Sequence, residues 1–330
     1  MKDTISIITV TLNVENFVDD YFTAIFVGGH KPFEVLVYDG GSTDKTIELI
    51  KKYQKKYPAI KLFQGKNIGF AAGNNLLARK AVGEYLFILN PDTKIDKNCL
   101  KYLIKNEKRP TSILVPKQLT FDGKLLTFGN GIDILGCPTS GKFFADGAAI
   151  FIKRLTFKKL GEFDPDYFVF QEDVDLSWRA HLCGVSLVFD PDAFIYHFSG
   201  GTVAGGSVKD KQFITTTFRR YLGEKNIYQN LLKNYSLIIL IFVLPINFII
   251  NLFEIIVFTL TGRFSLALCY PRAWWWILSH LSSIIRKRHI VQQKRIVSDW
   301  QILGKTYKGS AKLRLLFTAG LPNTRPQNHV

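Results

Sequence analysis

The chain has 330 residues, 47% of them hydrophobic and 21% charged, enough for a large core and about two folding units. That balance excludes disorder, collagen-like repeats and a disulfide-stapled mini-domain. The net charge of +16 is uneven: residues 1–200 carry 25 Lys/Arg against 23 Asp/Glu, and residues 201–330 carry 18 against 4. A near-neutral first part is therefore joined to a strongly basic second part, which suits nucleic acid or an anionic membrane surface.

Residues 5–11 (ISIITVT) are apolar, β-branched and few, which predicts a buried first strand rather than a signal peptide. Export of the first part by that route is not expected. Asn13 is placed to cap the next helix. Residues 34–38 form a second strand, running into the polar turn Asp39-Gly40-Gly41-Ser42-Thr43-Asp44. Residues 45–57 have apolar positions at helical spacing, 61–63 form a short strand, and 68–82 a helix rich in Ala and Gly. Residues 84–89 (EYLFIL) are a further strand, ending at Asn90-Pro91-Asp92-Thr93. This strand–helix alternation predicts a parallel sheet with helices on both faces. Ligands of such sheets lie beyond the carboxyl ends of the strands, where Asp39 and Asp92 both fall. Each loop also reads as an ordinary capping turn. Neither matches a phosphate-binding P-loop or a G-x-G-x-x-G fingerprint, which disfavours hydride transfer.

Residues 146–149 (DGAA) precede an apolar strand at 150–152 and read equally as an acceptor-facing loop or a plain turn. Further on, Gln171-Glu172-Asp173-Val174-Asp175-Leu176 opens a helix that runs through 176–183 and ends at Gly184. Asp175 and Arg179, four apart, are placed to pair on one face. A helix N-terminus explains one carboxylate; three within four residues ask for chemistry. A strand at 187–190 and a turn at 191–193 lead to His197, which alone reads more readily as structural than as a ligand. Cys99, Cys137, Cys183 and Cys269 are far apart with no C-x-x-C pair. That disfavours a zinc knuckle and suits a reducing compartment.

In the basic part, residues 235–253 (YSLIILIFVLPINFIINLF) are 19 residues without a charge. A second apolar run, 264–285, carries Arg272 and three consecutive tryptophans, Trp274, Trp275 and Trp276. Lys and Arg then recur from Arg286 to Arg314. Trp favours the headgroup level, and such a tail suits an anionic cytoplasmic leaflet. A membrane hairpin or interfacial helix pair with both ends cytoplasmic is the favoured reading. A single span and a soluble helical extension stay open. Basic residues that follow apolar, Trp-rich segments form no nucleic-acid motif, so no nucleic-acid partner is expected.

Five motifs in order carry a resemblance: Asp39-Gly-Gly-Ser-Thr-Asp44, Asn67-Ile-Gly-Phe-Ala-Ala-Gly-Asn74, Asn90-Pro-Asp-Thr93, Gln171-Glu-Asp-Val-Asp-Leu176 and His197. Over about residues 4–200 the chain resembles a family 2 glycosyltransferase of the rhamnosyltransferase-like branch. The tail is similar to that of membrane-associated members. The resemblance implies an α/β GT-A fold, a mostly parallel central sheet with helices on both faces, plus C-terminal membrane-associated helices. It implies a catalytic domain at 1–205, an amphipathic linker helix region at 206–234, apolar helices at 235–285 and a basic cytoplasmic tail at 286–330. It implies inverting transfer from a nucleotide-diphosphate sugar, with dTDP-rhamnose a candidate, to a lipid-linked or glycan acceptor at the cytoplasmic face of the cell membrane.

By the same resemblance, Thr11, Asn13, Asp39, Ser42, Asn67, Gly69, Asn74 and Asp92 would bind the donor, with Asp39 at the base. Asp92 would serve as the family's metal-binding Asp-x-Asp, degenerate here because Asn90 stands where the first Asp often does. His197 would be a further ligand for Mg2+ or Mn2+. Asp173 would be the catalytic base and Glu172 would orient the acceptor, with Asp146, Gly147 and Trp178 lining its site. A helix N-terminus lowers the pKa of Asp173 while Glu172 raises it, and sequence leaves that balance open. Two rivals are a non-catalytic sugar-nucleotide or lipid-binding scaffold and a processive synthase. The latter's Gln-x-x-Arg-Trp motif is missing at Ser177-Trp178-Arg179.

Overall fold

The computed structural model describes residues 3–107, 112–198, 207–209 and 212–324. The expected boundary at 205/206 lies outside the described residues. The chain divides into two compact units: residues 1–130, 144–180 and 185–202, and residues 131–143, 181–184 and 203–330.

The first unit runs β1 (Ile5–Thr11), α1 (Glu15–Val27), β2 (Glu34–Asp39), α2 (Thr46–Lys56), β3 (Ile60–Gln64), α3 (Gly69–Lys80), β4 (Tyr85–Leu89) and β5 (Thr93–Ile95). It continues with α4 (Cys99–Asn106), β6 (Ser112–Leu119) and β7 (Leu125–Thr127). The short strands β8 (Asn130–Ile132) and β9 (Pro138–Ser140) then pair with each other, largely within the second unit. The chain returns through β10 (Ala149–Lys153), α5 (Arg154–Leu160), α6 (Glu172–Leu182) and β11 (Ser186–His197).

The main sheet has the order β3-β2-β1-β4-β10-β6-β11-β5, with β7 on β6. The parallel expectation holds from β3 to β4. Beyond that the sheet is mixed, because β10 runs antiparallel to both β4 and β6 while β11 is parallel to β6. One sheet edge therefore gathers the carboxyl ends of β1, β2, β4, β6 and β11 and the amino end of β10.

The strands alternate with period two. Ile5 and Ile7 of β1, Val35 and Val37 of β2, and Phe87 and Leu89 of β4 share one core with Val18, Phe22 and Ile25 of α1. Fully burying each such side chain contributes about 1.5–3 kcal/mol. The opposite face takes α3, whose Gly73 allows close approach: a Cβ there would lie 2.7 Å from Val10 Cγ2. Two local expectations change. Asn13 does not cap α1; the N-cap is Val14, and Asn13 has φ +52°. His197 ends one long strand, β11, whose register shifts between Asp190 and Phe194 because Asp190 Oδ1 accepts from the Asp192 and Ala193 amides.

The second unit contains β12 (Ser207–Lys209), β13 (Gln212–Thr215), α7 (Thr217–Asn234), α8 (Leu237–Leu260), α9 (Phe264–Ala267), α10 (Cys269–Ser279), α11 (Leu281–Gln293), α12 (Asp299–Leu303), α13 (Ala311–Ala319) and β14 (Asn323–Thr324). Within the expected linker region, the described helix α7 packs into the second unit. Most of α7 is buried, polar Glu224, Asn226, Gln229 and Asn230 included, because α8, α10 and α11 pack around it. The second apolar run is not one membrane-length helix: it breaks into α9, α10 and the start of α11. Among the described residues α8 alone is long and apolar enough to cross a membrane, by length and composition.

Candidate active site

The first cluster joins the ends of β1 and β2. Asp39 is fully buried and its carboxylate is saturated. Oδ1 accepts from the amides of Gly41 (3.0 Å) and Ser42 (2.8 Å). Oδ2 accepts from the hydroxyls of Thr11 (2.9 Å) and Ser42 (2.6 Å). Asn13 closes the loop from the other strand. Its amide donates to Ser42 Oγ (2.9 Å) and its Oδ1 accepts from the Thr43 amide (2.8 Å). Four of the expected donor-binding residues, Thr11, Asn13, Asp39 and Ser42, thus form one network.

Asn67 Oδ1 accepts from the Gly69 amide (3.0 Å), turning the chain into α3. Gly69 has φ +82°, and a Cβ there would lie 2.5 Å from the Phe168 ring, so no other residue fits. Asn74 is fully buried; its Nδ2 donates to Phe70 O, but its Oδ1 has no hydrogen-bond partner.

The third cluster follows β4. Asp92 is 1% exposed, and its Oδ1 has no hydrogen-bond partner. It lies 3.5 Å from His197 Nε2, across the β5–β11 pairing that sets Thr93 opposite His197. The other ring nitrogen, Nδ1, meets Gln118 Oε1 at 2.9 Å. With Nδ1 donating to Gln118, the charged ring points an Nε2–H at Asp92, and the neutral ring would turn the Nε2 lone pair that a cation needs to the same place. Burial opposes protonation of His197, but the Asp92 carboxylate beside it holds its pKa above the ordinary histidine value.

The fourth cluster opens α6. Glu162, Phe168, Phe170 and Gln171 all have positive φ in the approach to the helix. Such geometry costs about 1–3 kcal/mol per residue and persists only where the surroundings impose it. Arg179 anchors the start of this approach: it donates to the carbonyls of Leu160 and Glu162 and to Asp175 Oδ2 (2.8 Å), the pairing expected from their spacing. Asp173 Oδ2 accepts from the Gly147 amide (3.0 Å) and Oδ1 from the Val174 amide (2.8 Å). Glu172 is buried and its Oε2 has no hydrogen-bond partner. Burial and the nearby Asp146 charge push the Asp173 carboxyl up to about 7, against the two amides. Burial and then Asp173 raise Glu172 well above the usual carboxylate range. For Asp173 the raising causes are burial and Asp146, where the sequence names Glu172.

Residues 146–148 stitch the last two clusters together. Asn90 donates its amide to Ala148 O (2.9 Å), Asp146 accepts from Asn130 Nδ2 (2.9 Å), and Gly147 holds Asp173. The segment is a turn, with Ala149 N donating to Asp146 O, and it also reaches the acidic cluster. Trp178 differs from expectation: it has no exposed surface and lies in the core of the unit, so it offers an acceptor no face. Sequence reasoning missed Gln118, whose signal is a polar residue ending the apolar run of β6. It also missed Asn75, whose amide pairs with both backbone groups of Phe163.

The arrangement offers a carboxylate able to exchange a proton near neutral pH and an Asp–His pair with an open oxygen. The model of glycosyl transferase family 2 matches residues 6–175, more than half of the chain. The chain belongs to glycosyltransferase family 2. A poly-beta-1,6-N-acetyl-D-glucosamine synthase of Staphylococcus epidermidis is 24% identical to this chain over 214 residues, 61% of this chain and 51% of its own length. The chain spans about half the length of the curated relatives it matches. S. aureus TarS, solved with UDP-GlcNAc, is 18% identical with a TM-score of 0.50, covering 70% of this chain and 67% of that one. A mannosyltransferase from Pyrobaculum calidifontis, solved with GDP-Man and Mn2+, is 16% identical with a TM-score of 0.51, covering 84% and 75%. At these identities the likeness shows the fold, GT-A.

Proposed function

We propose that this glycosyltransferase moves a sugar, with inversion, from a nucleotide-diphosphate donor to a lipid-linked or growing glycan acceptor in cell-surface polysaccharide synthesis. The observation that carries the reading is the Glu172–Asp173 pair at the sheet's carboxyl edge, with Glu172 buried, Asp173 half-buried on the Gly147 and Val174 amides, and the Asp173 carboxyl raised to about 7. Inversion needs a base on one face of the anomeric carbon and the leaving diphosphate on the other. Asp173 takes the acceptor hydroxyl proton as the new bond forms, and a base with a pKa near the working pH does this best. Glu172 and the 146–147 turn orient the acceptor. Thr11, Asn13, Asp39 and Ser42 hold the base end of the donor, with Asn67, Gly69 and Asn74 beside it.

Asp92 and His197 fit a divalent cation, because the carboxylate oxygen is buried without a partner and the imidazole nitrogen beside it is available. Among the described residues no group of three or more His, Cys, Asp or Glu converges, so Asp92 and His197 would be the protein's part of such a site. Held by Asp92 and His197, Mg2+ or Mn2+ would supply Lewis-acid stabilisation to the departing diphosphate.

The resemblance to the rhamnosyltransferase-like branch favours dTDP-rhamnose as donor. A second reading, UDP-GlcNAc and polymer synthesis, is favoured by the names of the relatives. The apolar exposed faces of α8 and the basic second part favour the cytoplasmic face of a membrane. A donor screen in detergent tests the reading: UDP-, dTDP- and GDP-sugars with and without Mn2+ or Mg2+, reading released nucleoside diphosphate. Metal-dependent release from one donor, lost in Asp173→Asn, is expected. If no nucleotide binds, the non-catalytic scaffold takes its place.

A further inference from the structure

The reading above brings the chain to a membrane; how α8 meets it follows from the packing of the second unit. The buried positions of α8 are Leu240, Val243, Asn247, Asn251 and Phe258, a single stripe at helical spacing. That stripe is polar at its centre. Asn251 Nδ2 donates to Tyr228 OH on α7 (3.2 Å), and Glu254 accepts from Arg220 on α7 (2.6 Å) and Lys312 on α13 (2.7 Å). The remaining circumference is apolar and open, with Leu237, Ile241, Ile249, Phe253, Ile256 and Leu260 exposed.

Both ends of α8 are tied to one later stretch of chain, residues 299–322. At the start, the Ser236 amide donates to Asp299 (3.1 Å); past the end, Arg263 Nε donates to Pro322 O (3.1 Å); Lys312 reaches the middle. Residues 299–322 therefore accompany α8 along its length, carrying Lys305, Lys308, Lys312 and Arg314. A 24-residue helix is about 36 Å long, close to the roughly 30 Å of a hydrocarbon core. If α8 crossed a bilayer, this stretch would cross beside it, with the non-helical residues 304–310 at membrane depth, where lipid-exposed irregular backbone does not occur. The charged helix α7, which contacts α8 through Arg220 and Tyr228, would be drawn in as well.

We infer that α8 lies in the plane of one anionic leaflet, its open apolar faces among the acyl chains and its polar stripe turned to α7 and α13. The inference rests on the membrane reading of the proposed function. The partner is an anionic lipid surface: residues 201–330 carry 18 cations against 4 anions, and Trp275 and Trp300, 73% and 77% exposed, are of the type that settles at the headgroups.

The test uses the whole chain in membranes of an expressing bacterial host, with Ser236→Cys or Thr261→Cys at the two ends of α8 and a membrane-impermeant maleimide. The native cysteines give the background, and Cys99, Cys137 and Cys269 are buried. Both ends should label in inside-out vesicles, within twofold of each other, and neither in right-side-out vesicles. One end labelling from each side overturns the in-plane placement and leaves the membrane reading standing. Absence from the membrane fraction overturns both. Separately, Ile241→Glu/Ile249→Glu should lower flotation with phosphatidylglycerol vesicles at least tenfold with unchanged circular dichroism. Undiminished flotation contradicts the placement.

Discussion

Asp39 and the Glu172–Asp173 pair sit on the same edge of one sheet and are held in opposite ways. Asp39 accepts four hydrogen bonds, two from amides and two from hydroxyls. Glu172 keeps an oxygen with no partner, and its neighbour is raised to about 7. The contrast repeats within α6, where Asp175, two residues after Asp173, is matched by Arg179. A satisfied buried carboxylate fixes a loop; an unsatisfied one holds free energy that a substrate or cation releases on binding. Asp92 belongs with the second kind, and Asp39 and Asp175 with the first.

Substitution should separate the two kinds, and the largest effect is expected at the open pair. Asp173→Asn should lower single-turnover transfer about 10³-fold while donor affinity, read by calorimetry, stays within threefold. A tenfold loss or less would remove Asp173 from the base role. Next comes the closed pair: Arg179→Met strands the buried Asp175 charge and releases two carbonyls. It should cost about 3–5 kcal/mol in urea unfolding, and a change below 1 kcal/mol would break the comparison. Asp39→Ala leaves four donors without their acceptor and should cost about 2–3 kcal/mol by the same measurement, with weaker nucleotide binding.

The smallest effect has a sign that tells the classes apart. The folded-state pKa of Asp173 is raised, so the stability it confers is present below about pH 4 and lost as pH rises through about 7. Asp173→Asn removes that loss. It should be no more stable than the parent at pH 4 and about 2 kcal/mol more stable at pH 8, half of what a three-unit shift corresponds to, because solvent still reaches Asp173. A variant equally or less stable at pH 8 would contradict the raised pKa of Asp173.

Much of the first unit was legible because its signals are local. Apolar β-branched runs mark β1, β2 and β4, and the polar turns after them mark the sheet edge. The reversal of β10 was not legible, since ILV-type strands read alike in either direction and pairing is decided across the fold. The Asp175–Arg179 pair was readable from its i,i+4 spacing. Gln118 was not, because its meaning comes from His197, distant in sequence. Trp178, which the resemblance placed at the acceptor site, is turned into the core by its position on α6. In the second unit, α7 lies in the region expected as an amphipathic linker, and only the packing of α8, α10 and α11 shows most of it buried.

The pH dependence of single-turnover transfer tests the central claim most directly. The wild-type rate should rise with pH through a midpoint of about 7 as Asp173 loses its proton, and the residual rate of Asp173→Asn should show no such limb. A wild-type limb near pH 4, or the same limb persisting in Asp173→Asn, would contradict the assignment of Asp173 as the base.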